Sequence, residues 1–183
     1  YLTALVNLLG PIERVSAIAN ATWEERIAQN EAIKGQKIPV EIPTNYGGVL
    51  EFANGTIGTM TMTFDTPGRY EPGLFIYGTE GVLHVPDPNT FTGPVRLKEG
   101  REWVDVPLAY TDDLQRGTGT ADTAYAIRSG RPNRASGDLA YHVLDAMCAF
   151  DESGASGQHI TLESTVERPA RLPEGLPEGT LDE

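Results

Sequence analysis

Residues 48–64 decide the fold, and they read Gly48-Val49-Leu50-Glu51-Phe52-Ala53-Asn54-Gly55-Thr56-Ile57-Gly58-Thr59-Met60-Thr61-Met62-Thr63-Phe64. Asn54-Gly55 is a strong signal for a tight hairpin, since both central residues of a type I′ turn need positive φ. After the turn, apolar residues alternate with threonines, and alternate side chains of a strand point to opposite faces. The stretch therefore predicts an antiparallel hairpin in which Met60, Met62 and Phe64 face a core.

Strand patterns continue on both sides of this hairpin. Alternating or β-rich segments occupy residues 15–23, 38–43, 74–77, 82–85, 94–97, 103–106 and 160–162. Short turn sequences such as Glu99-Gly100 join neighbouring segments and predict further hairpins. The polar stretch 25–37 lacks such alternation and is interpreted as a loop or a strand bend.

Helical periodicity occurs near both ends of the chain. Residues 2–9 carry a helical apolar stripe that Gly10-Pro11 stops. A second helix is predicted from a cap at Thr118 or Thr120 to Arg128, ended by Ser129-Gly130. A third follows a Ser136 cap, and its apolar stripe comprises Leu139, His142, Val143, Ala146, Met147 and Phe150.

This order of elements predicts an α+β fold, with a large mostly antiparallel open sheet and helices packed on one face. We expect one domain over residues 1–168. Residues 169–183 are rich in Pro and Glu and are predicted to form an extended or mobile tail.

Composition narrows the class of protein. The formal net charge of -12 argues against nucleic-acid binding, which requires basic side chains to replace counterions. No apolar run approaches the ~20 residues that a membrane-spanning helix needs. The single cysteine, Cys148, lies in the third helix and is predicted to be a buried, unreactive thiol. The lack of paired cysteines fits a reducing compartment, so we expect a cytoplasmic protein.

A search for self-contained chemistry gives little. Gly117-Thr118-Gly119 resembles part of a phosphate loop, but it follows no parallel strand and is better interpreted as a turn and helix cap. The histidines show no metal-ligand spacing, and His142 lies on the apolar stripe of its helix, where a hydrogen-bonded core histidine is the simpler interpretation. Arg116 and Asp122 are expected to form a structural ion pair at the start of a helix.

Several short motifs occur in a characteristic order along nearly the whole chain. They are Asn-Gly-x-x-Gly from Asn54, Tyr77-Gly78-Thr79-Glu80-Gly81-Val82-Leu83, Pro86-Asp87-Pro88-Asn89, Arg116-x-x-Gly119-x-x-Asp122-x-Ala124-x-Ala126-Ile127, Gly130-Arg131-Pro132-x-Arg134, Ser136-Gly137-x-Leu139-Ala140-x-His142-Val143-Leu144 and Glu167-Arg168-Pro169. Together they resemble the C-terminal domain of the Gfo/Idh/MocA oxidoreductases.

The resemblance implies a larger enzyme. Members of that family place a Rossmann domain, which binds NAD or NADP, before this sheet domain. A Lys and an Asp-x-x-x-His pair act there on a sugar or cyclitol hydroxyl. By this match Tyr1 follows the catalytic position, so the chain is expected to begin inside a helix of a longer protein. The fragment itself is then expected to bind no cofactor, to contain no catalytic or metal-binding residue and to be inactive.

The resemblance also suggests which residues form the substrate side of the active site. Asn45, Asp65, Arg69 and Tyr70 are the candidate substrate-binding residues, and for each a solvated loop side chain is the plain alternative. The expected partners are the missing Rossmann domain, a sugar substrate and a second copy of the chain, paired through the sheet face. Two other functions stay open: a non-catalytic sugar-binding or dimerisation module, and an unrelated antiparallel-sheet binding domain.

Overall fold

The computed structural model describes residues 1–66, 73–91, 93–108, 116–174 and 180–182. The predicted site residues Arg69 and Tyr70 lie outside these ranges. The elements, in chain order, are α1 (Leu2–Leu9), β1 (Ile12–Asn20), β2 (Glu25–Ile27), β3 (Lys37–Pro39), β4 (Asn45–Phe52), β5 (Ile57–Thr63), β6 (Leu74–Tyr77), β7 (Val82–Val85), β8 (Val95–Glu99), β9 (Glu102–Val106), α2 (Thr118–Ser129), α3 (Gly137–Ser156) and β10 (Ile160–Thr161).

The α+β class with antiparallel strands is confirmed. The described strands form three antiparallel sheets, ordered β10-β1-β4-β5, β2-β3 and β6-β7-β8-β9. The chain divides into two compact units. The first contains α1, β1 to β5, α3 and β10, and the second contains β6 to β9, α2 and the C-terminal residues from Pro169.

The core of the first unit lies between α3 and the sheet β10-β1-β4-β5. The stripe predicted on α3 supplies one side of it, and Leu139, His142, Ala146 and Phe150 are buried. Alternate residues of β1 and β4 supply the other side, since their side chains point toward the helix. The buried apolar residues of this core are Leu2, Val6, Ile12, Val15, Ala17, Leu50, Phe52, Leu139, Ala146, Ala149 and Phe150.

The β4–β5 hairpin forms as predicted, but its turn is of another type. Only glycines have positive φ among the described residues, so Asn54 cannot occupy a type I′ position. The Gly55 amide donates to the Phe52 carbonyl at 2.8 Å, and Gly55 has a φ of 82°. This is a three-residue loop with glycine at the left-handed position, and Asn54 Oδ1 accepts from the Thr56 amide at 2.9 Å.

Three predicted burials are wrong. Met60 packs against the core, but Met62 is 41% exposed and Phe64 is also exposed, because they extend beyond the part of β5 that contributes to the core. Cys148 is exposed rather than buried. Cys148 follows the buried Ala146 by two residues. Since each helical residue rotates the side chain by about 100°, the Cys148 side chain points away from the core face.

The second unit contains the other two predicted hairpins and α2. β6 pairs with β7 and β8 pairs with β9, both antiparallel. The N-cap of α2 is Gly117, without a side-chain cap hydrogen bond, so the predicted caps Thr118 and Thr120 are wrong. Gly130 ends the helix in the left-handed conformation, as the sequence indicated.

The predicted Arg116–Asp122 pair is also wrong. Asp122 is buried and forms ion pairs with Arg131 and Arg134, which follow α2 in the chain. A buried carboxylate needs close hydrogen-bonded counterions, and the loop after α2 provides two of them. None of the described helices has the length and apolar character to cross a membrane.

Candidate functional site

Two of the predicted substrate-side residues, Asn45 and Asp65, lie together at one end of the sheet in the first unit. Asn45 opens β4, and its neighbours across the ladder are Asn20 at the end of β1 and Thr63 at the end of β5. Asp65 follows β5 directly. Antiparallel pairing therefore brings together polar residues from three strands that are distant in sequence.

Asp65 is the centre of this cluster. Its Oδ2 accepts hydrogen bonds from Thr44 Oγ1 at 2.7 Å, from Asn45 Nδ2 at 2.6 Å and from the backbone amide of Thr22 at 3.0 Å. Its Oδ1 accepts from Arg26 Nη2, so that both carboxylate oxygens have partners. The Asp65 side chain is 5% exposed.

The cluster keeps the Asp65 carboxyl ionised. Burial acts to raise its pKa, but the hydrogen bonds it accepts outweigh burial and hold the pKa well below the ordinary value of 3.8. A carboxylate with so low a pKa is a poor proton acceptor at neutral pH. The geometry therefore suits Asp65 to positioning and not to acid–base chemistry.

Asn45 joins the strand ends to this carboxylate. Its Nδ2 lies 3.1 Å from Asn20 Oδ1 and 2.9 Å from Thr22 Oγ1, in addition to its bond to Asp65. Its Oδ1 accepts from Thr63 Oγ1. The amide thus has contacts on both its oxygen and its nitrogen, which fixes its orientation and that of the loop around Thr22.

Arg26, the cation of the cluster, was not among the predicted site residues. Arg26 lies in β2, inside the stretch interpreted as a loop, and pairs across to Ile38 of β3. Its guanidinium lies 5.7 Å from the centre of the Trp23 ring and donates to the Phe64 carbonyl at 2.6 Å. Within the described residues its buried Nε has no hydrogen-bond partner. The alternation of Glu25, Arg26 and Ile27 was the available signal, and it is too short to distinguish a strand from a loop.

Removing the Asp65 charge is expected to destabilise the fold in a pH-dependent way. Asp65→Asn leaves Arg26 without its carboxylate, so we expect a melting temperature lower by several degrees at pH 7. Because the folded pKa is lowered, the wild-type carboxylate stabilises the fold above about pH 3.8 and loses this effect as the pH falls toward the folded pKa. Thermal melts between pH 7 and pH 2 should therefore converge for the two proteins at the acid end.

Glu31→Gln is the matched control, since it removes a carboxylate from an exposed ion pair with Lys34. It should melt like the wild type across this range. A constant difference between Asp65→Asn and the wild type at every pH would contradict the pKa assignment.

The described residues contain no cluster of His, Cys, Asp or Glu that is arranged to hold a metal ion. The described strand pairs are all antiparallel, whereas a dinucleotide fold needs parallel strands with a glycine-rich turn before a helix. Gly117-Thr118-Gly119 precedes α2 but follows no strand of that kind. The described residues therefore show no dinucleotide-binding motif, and the candidate site is the polar cluster around Asp65.

Comparison with known proteins supports the sequence resemblance. Residues 1–84 match the family model described as the GFO/IDH/MocA C-terminal domain. No curated protein sequence matches the chain. The matched range contains α1, β1 to β6, most of β7 and both Asn45 and Asp65.

Solved structures share the fold over most of this chain. The apo form of levoglucosan dehydrogenase is 21% identical with a TM-score of 0.72, covering 90% of this chain and 49% of that one. The NAD binding oxidoreductase from Klebsiella pneumoniae is 18% identical with a TM-score of 0.70, covering 88% and 48%. The aldose-aldose oxidoreductase from Caulobacter crescentus complexed with glycerol is 17% identical with a TM-score of 0.67, covering 88% and 44%. The chain thus spans about half the length of the structures it matches.

Proposed function

We propose that this chain is the substrate-side domain of an NAD(P)-dependent oxidoreductase acting on a sugar or cyclitol hydroxyl. The premise is that residues 1–84 match the GFO/IDH/MocA C-terminal domain. The observation that carries the proposal is this family match, which includes the Asn45–Asp65 cluster. The likeness of the fold to about half of several oxidoreductase chains supports it.

The proposal assigns the cofactor to another domain. One solved relative is levoglucosan dehydrogenase in complex with NADH and levoglucosan, and the chain covers 47% of it. Since the described residues here show no dinucleotide-binding motif, NAD or NADP belongs on a Rossmann domain joined to this one. Hydride transfer needs the cofactor and a base within reach of the reacting carbon, so the chain alone is proposed to be inactive.

Asn45, Asp65, Arg69 and Tyr70 remain the proposed substrate-side residues. The contacts of Asn45 and Asp65 support a role in fixing the strand ends from which neighbouring groups reach the sugar. Asp65 is held ionised and fully hydrogen bonded, so in this proposal it is a positioning residue. Arg69 and Tyr70 are the proposed direct contacts to substrate hydroxyls, because guanidinium and phenol groups donate hydrogen bonds well.

Kinetics of the polypeptide that includes the proposed Rossmann domain test this assignment. Tyr70→Phe should raise KM for the best substrate of a sugar and cyclitol panel and leave the affinity for NADH unchanged. Tyr141→Phe, at an exposed position of α3, is the matched control and should change neither. Equal kinetics for Tyr70→Phe and the wild type would exclude Tyr70 from the substrate site.

A non-catalytic sugar-binding or dimerisation module is the second candidate. It is favoured by the hydrogen bonds of the Asn45–Asp65 cluster. Both carboxylate oxygens of Asp65 already accept bonds from within the domain, and its low pKa makes it a poor proton acceptor. The same polypeptide distinguishes the two functions. Turnover with any sugar or cyclitol supports the enzyme, whereas dinucleotide binding without turnover supports the module.

We also propose that the sheet of the first unit pairs with a second copy of the chain. Its face opposite α3 presents the exposed apolar side chains of Ile18, Val49 and Ile57, together with the threonines of β5 and the Arg14–Glu51 ion pair. Large apolar side chains at three positions of one sheet face favour contact with a partner over exposure to solvent. A two-fold dimer covers it with an identical face.

Sedimentation of paired variants tests the dimer. Ile18→Glu puts a charge on the proposed interface and should shift the protein to monomer at micromolar concentration. Ile127→Glu on α2 is the control, because Ile18 and Ile127 are equally exposed at 78%. A monomeric wild type, or dissociation by both variants alike, would contradict pairing through this face.

A further inference from the structure

Two arginines and two aspartates form a partly buried ion cluster in the second unit. Arg131 and Arg134 belong to the loop after α2, and Asp122 belongs to α2 itself. The fourth member, Asp182, comes from the C-terminal residues. Asp182 lies in residues 169–183, which the sequence pattern predicts to be an extended or mobile tail.

Asp122 holds both guanidinium groups in place. Its Oδ1 accepts from Arg131 Nη2 at 2.6 Å and from Arg134 Nη1, and its Oδ2 accepts from the Arg134 amide at 3.2 Å. These three residues lie close together in the chain, since Arg134 is 12 residues from Asp122. The arginine pair is therefore positioned by local structure, and Arg134 also donates from Nε to the Ala170 carbonyl at 3.0 Å.

The Asp182 carboxylate binds the guanidinium nitrogens of Arg131 and Arg134 that Asp122 does not contact. Arg131 Nε lies 2.9 Å from Asp182 Oδ1 and 2.7 Å from Oδ2, and Arg134 Nη2 lies 3.8 Å from Oδ1. Asp182 is 51 residues from Arg131 along the chain, and its side chain is 14% exposed. The preceding Leu181 is buried, which anchors the segment.

The charges of the cluster balance only when Asp182 is present. Asp122 neutralises one of the two arginines, so without Asp182 a positive charge stays in a largely buried place. An unpaired buried charge is unfavourable, and a guanidinium fork matches the oxygens of carboxylates and phosphates. A preorganised pair of this kind binds an oxyanion with little reorganisation.

We propose that Arg131 and Arg134 form an oxyanion-binding site whose occupant here is the Asp182 carboxylate. A small carboxylate or phosphate ligand takes the same place when the Asp182 carboxylate is absent. In the wild-type protein the tethered Asp182 competes at a high effective concentration, so it excludes a free anion of ordinary affinity. The C-terminal residues thereby act as an exchangeable internal ligand of the domain.

Asp182→Asn in the full chain tests the site, with inorganic phosphate and acetate as separate probes at constant ionic strength set by chloride. The variant should melt at a lower temperature than the wild type in chloride. Phosphate should restore most of the loss with a saturable dependence on concentration, because a ligand that binds only the folded state stabilises it. Calorimetry should give phosphate binding about tenfold or more tighter than to the wild type.

Two further variants make the result specific. Asp105→Asn removes a carboxylate from the exposed Arg96–Asp105 pair and should show no saturable effect of phosphate. Arg134→Gln combined with Asp182→Asn should lose the phosphate effect. If Asp182→Asn is unfolded in chloride, we expect phosphate to refold it, and circular dichroism measures the refolding.

The proposal is overturned if neither phosphate nor acetate raises the melting temperature of Asp182→Asn, or, should that variant be unfolded in chloride, if neither anion refolds it. It is also overturned if phosphate stabilises the wild type, Asp105→Asn and Asp182→Asn by the same amount, since that pattern is a general salt effect.

Discussion

His142→Ala is expected to lower the free energy of unfolding by roughly 3 to 5 kcal/mol, because it combines a cavity with lost buried hydrogen bonds. His142 lies on the core-facing side of α3 and is fully buried. Its Nε2 accepts from the Ile12 amide at 3.0 Å, and its Nδ1 lies 2.9 Å from Ser164 Oγ. Alanine leaves the Ile12 amide without its acceptor at the point where β1 begins.

The partners of His142 also fix its protonation state. An amide nitrogen can only donate, so Nε2 carries the lone pair and Nδ1 carries the proton. Ser164 Oγ in turn donates to Asp145 Oδ2 at 2.7 Å. Burial lowers the pKa of His142 against the opposing effects of Asp145 and Ser164. The unfolded chain takes up a second imidazole proton near the ordinary pKa of 6.5, and the folded chain does so only at lower pH because its pKa is lowered. Stability should therefore fall as the pH drops below 6.5.

Urea denaturation at pH 7.5 and pH 5.5 measures both effects. His159→Ala is the matched control, since His159 is exposed, and it should change stability by less than about 0.5 kcal/mol. A His142→Ala protein as stable as the control would show that the histidine does not hold the core together. An unchanged pH dependence would contradict its neutral state.

Gly48→Ala is expected to lower stability by about 1 to 3 kcal/mol through overpacking between β4 and α3. A Cβ at Gly48 would lie 2.6 Å from Phe150 Cε1 and 2.9 Å from the Ser16 carbonyl oxygen. Phe150 is buried and Ser16 contributes backbone, so neither can move without disturbing the core. The measurement is the midpoint of urea unfolding at a constant m-value.

Gly47→Ala gives a control one residue away on the opposite face of the same strand. Among the described residues nothing lies within 4 Å of a Cβ built there, and alanine reduces the entropy of the unfolded chain. We expect Gly47→Ala to be neutral or slightly stabilising. Equal loss of stability in the two variants would contradict the packing of α3 on this face.

Much of the fold follows from local patterns that the sequence displays. The alternation around Asn54-Gly55 predicted the β4–β5 hairpin, and the stripe on α3 identified His142 and Phe150 as core residues. The turn type was not predictable in this way, because Asn-Gly also fits a three-residue loop in which only the glycine has positive φ. The exposure of Met62 depends on how far the core extends along β5, which alternation does not determine.

The candidate site was predictable only in part. Asn45 and Asp65 became candidates separately, through the resemblance to the oxidoreductase family, and the strand register brings them within hydrogen-bonding distance. Arg26 was missed because its strand is short and its partner Asp65 is 39 residues away. The predicted partner of Asp122 was wrong for a different reason, since the course of the loop after α2, which sequence pattern does not determine, brings Arg131 and Arg134 to the carboxylate.

The most direct test of the central claim is a calorimetric titration with NADH and with NADPH of this chain alone and of the polypeptide that includes the proposed Rossmann domain. We expect no binding to the chain alone and saturable binding of at least one dinucleotide to the longer polypeptide. Binding by the chain alone, or by neither protein, would contradict a substrate-side domain whose cofactor is held by its neighbour.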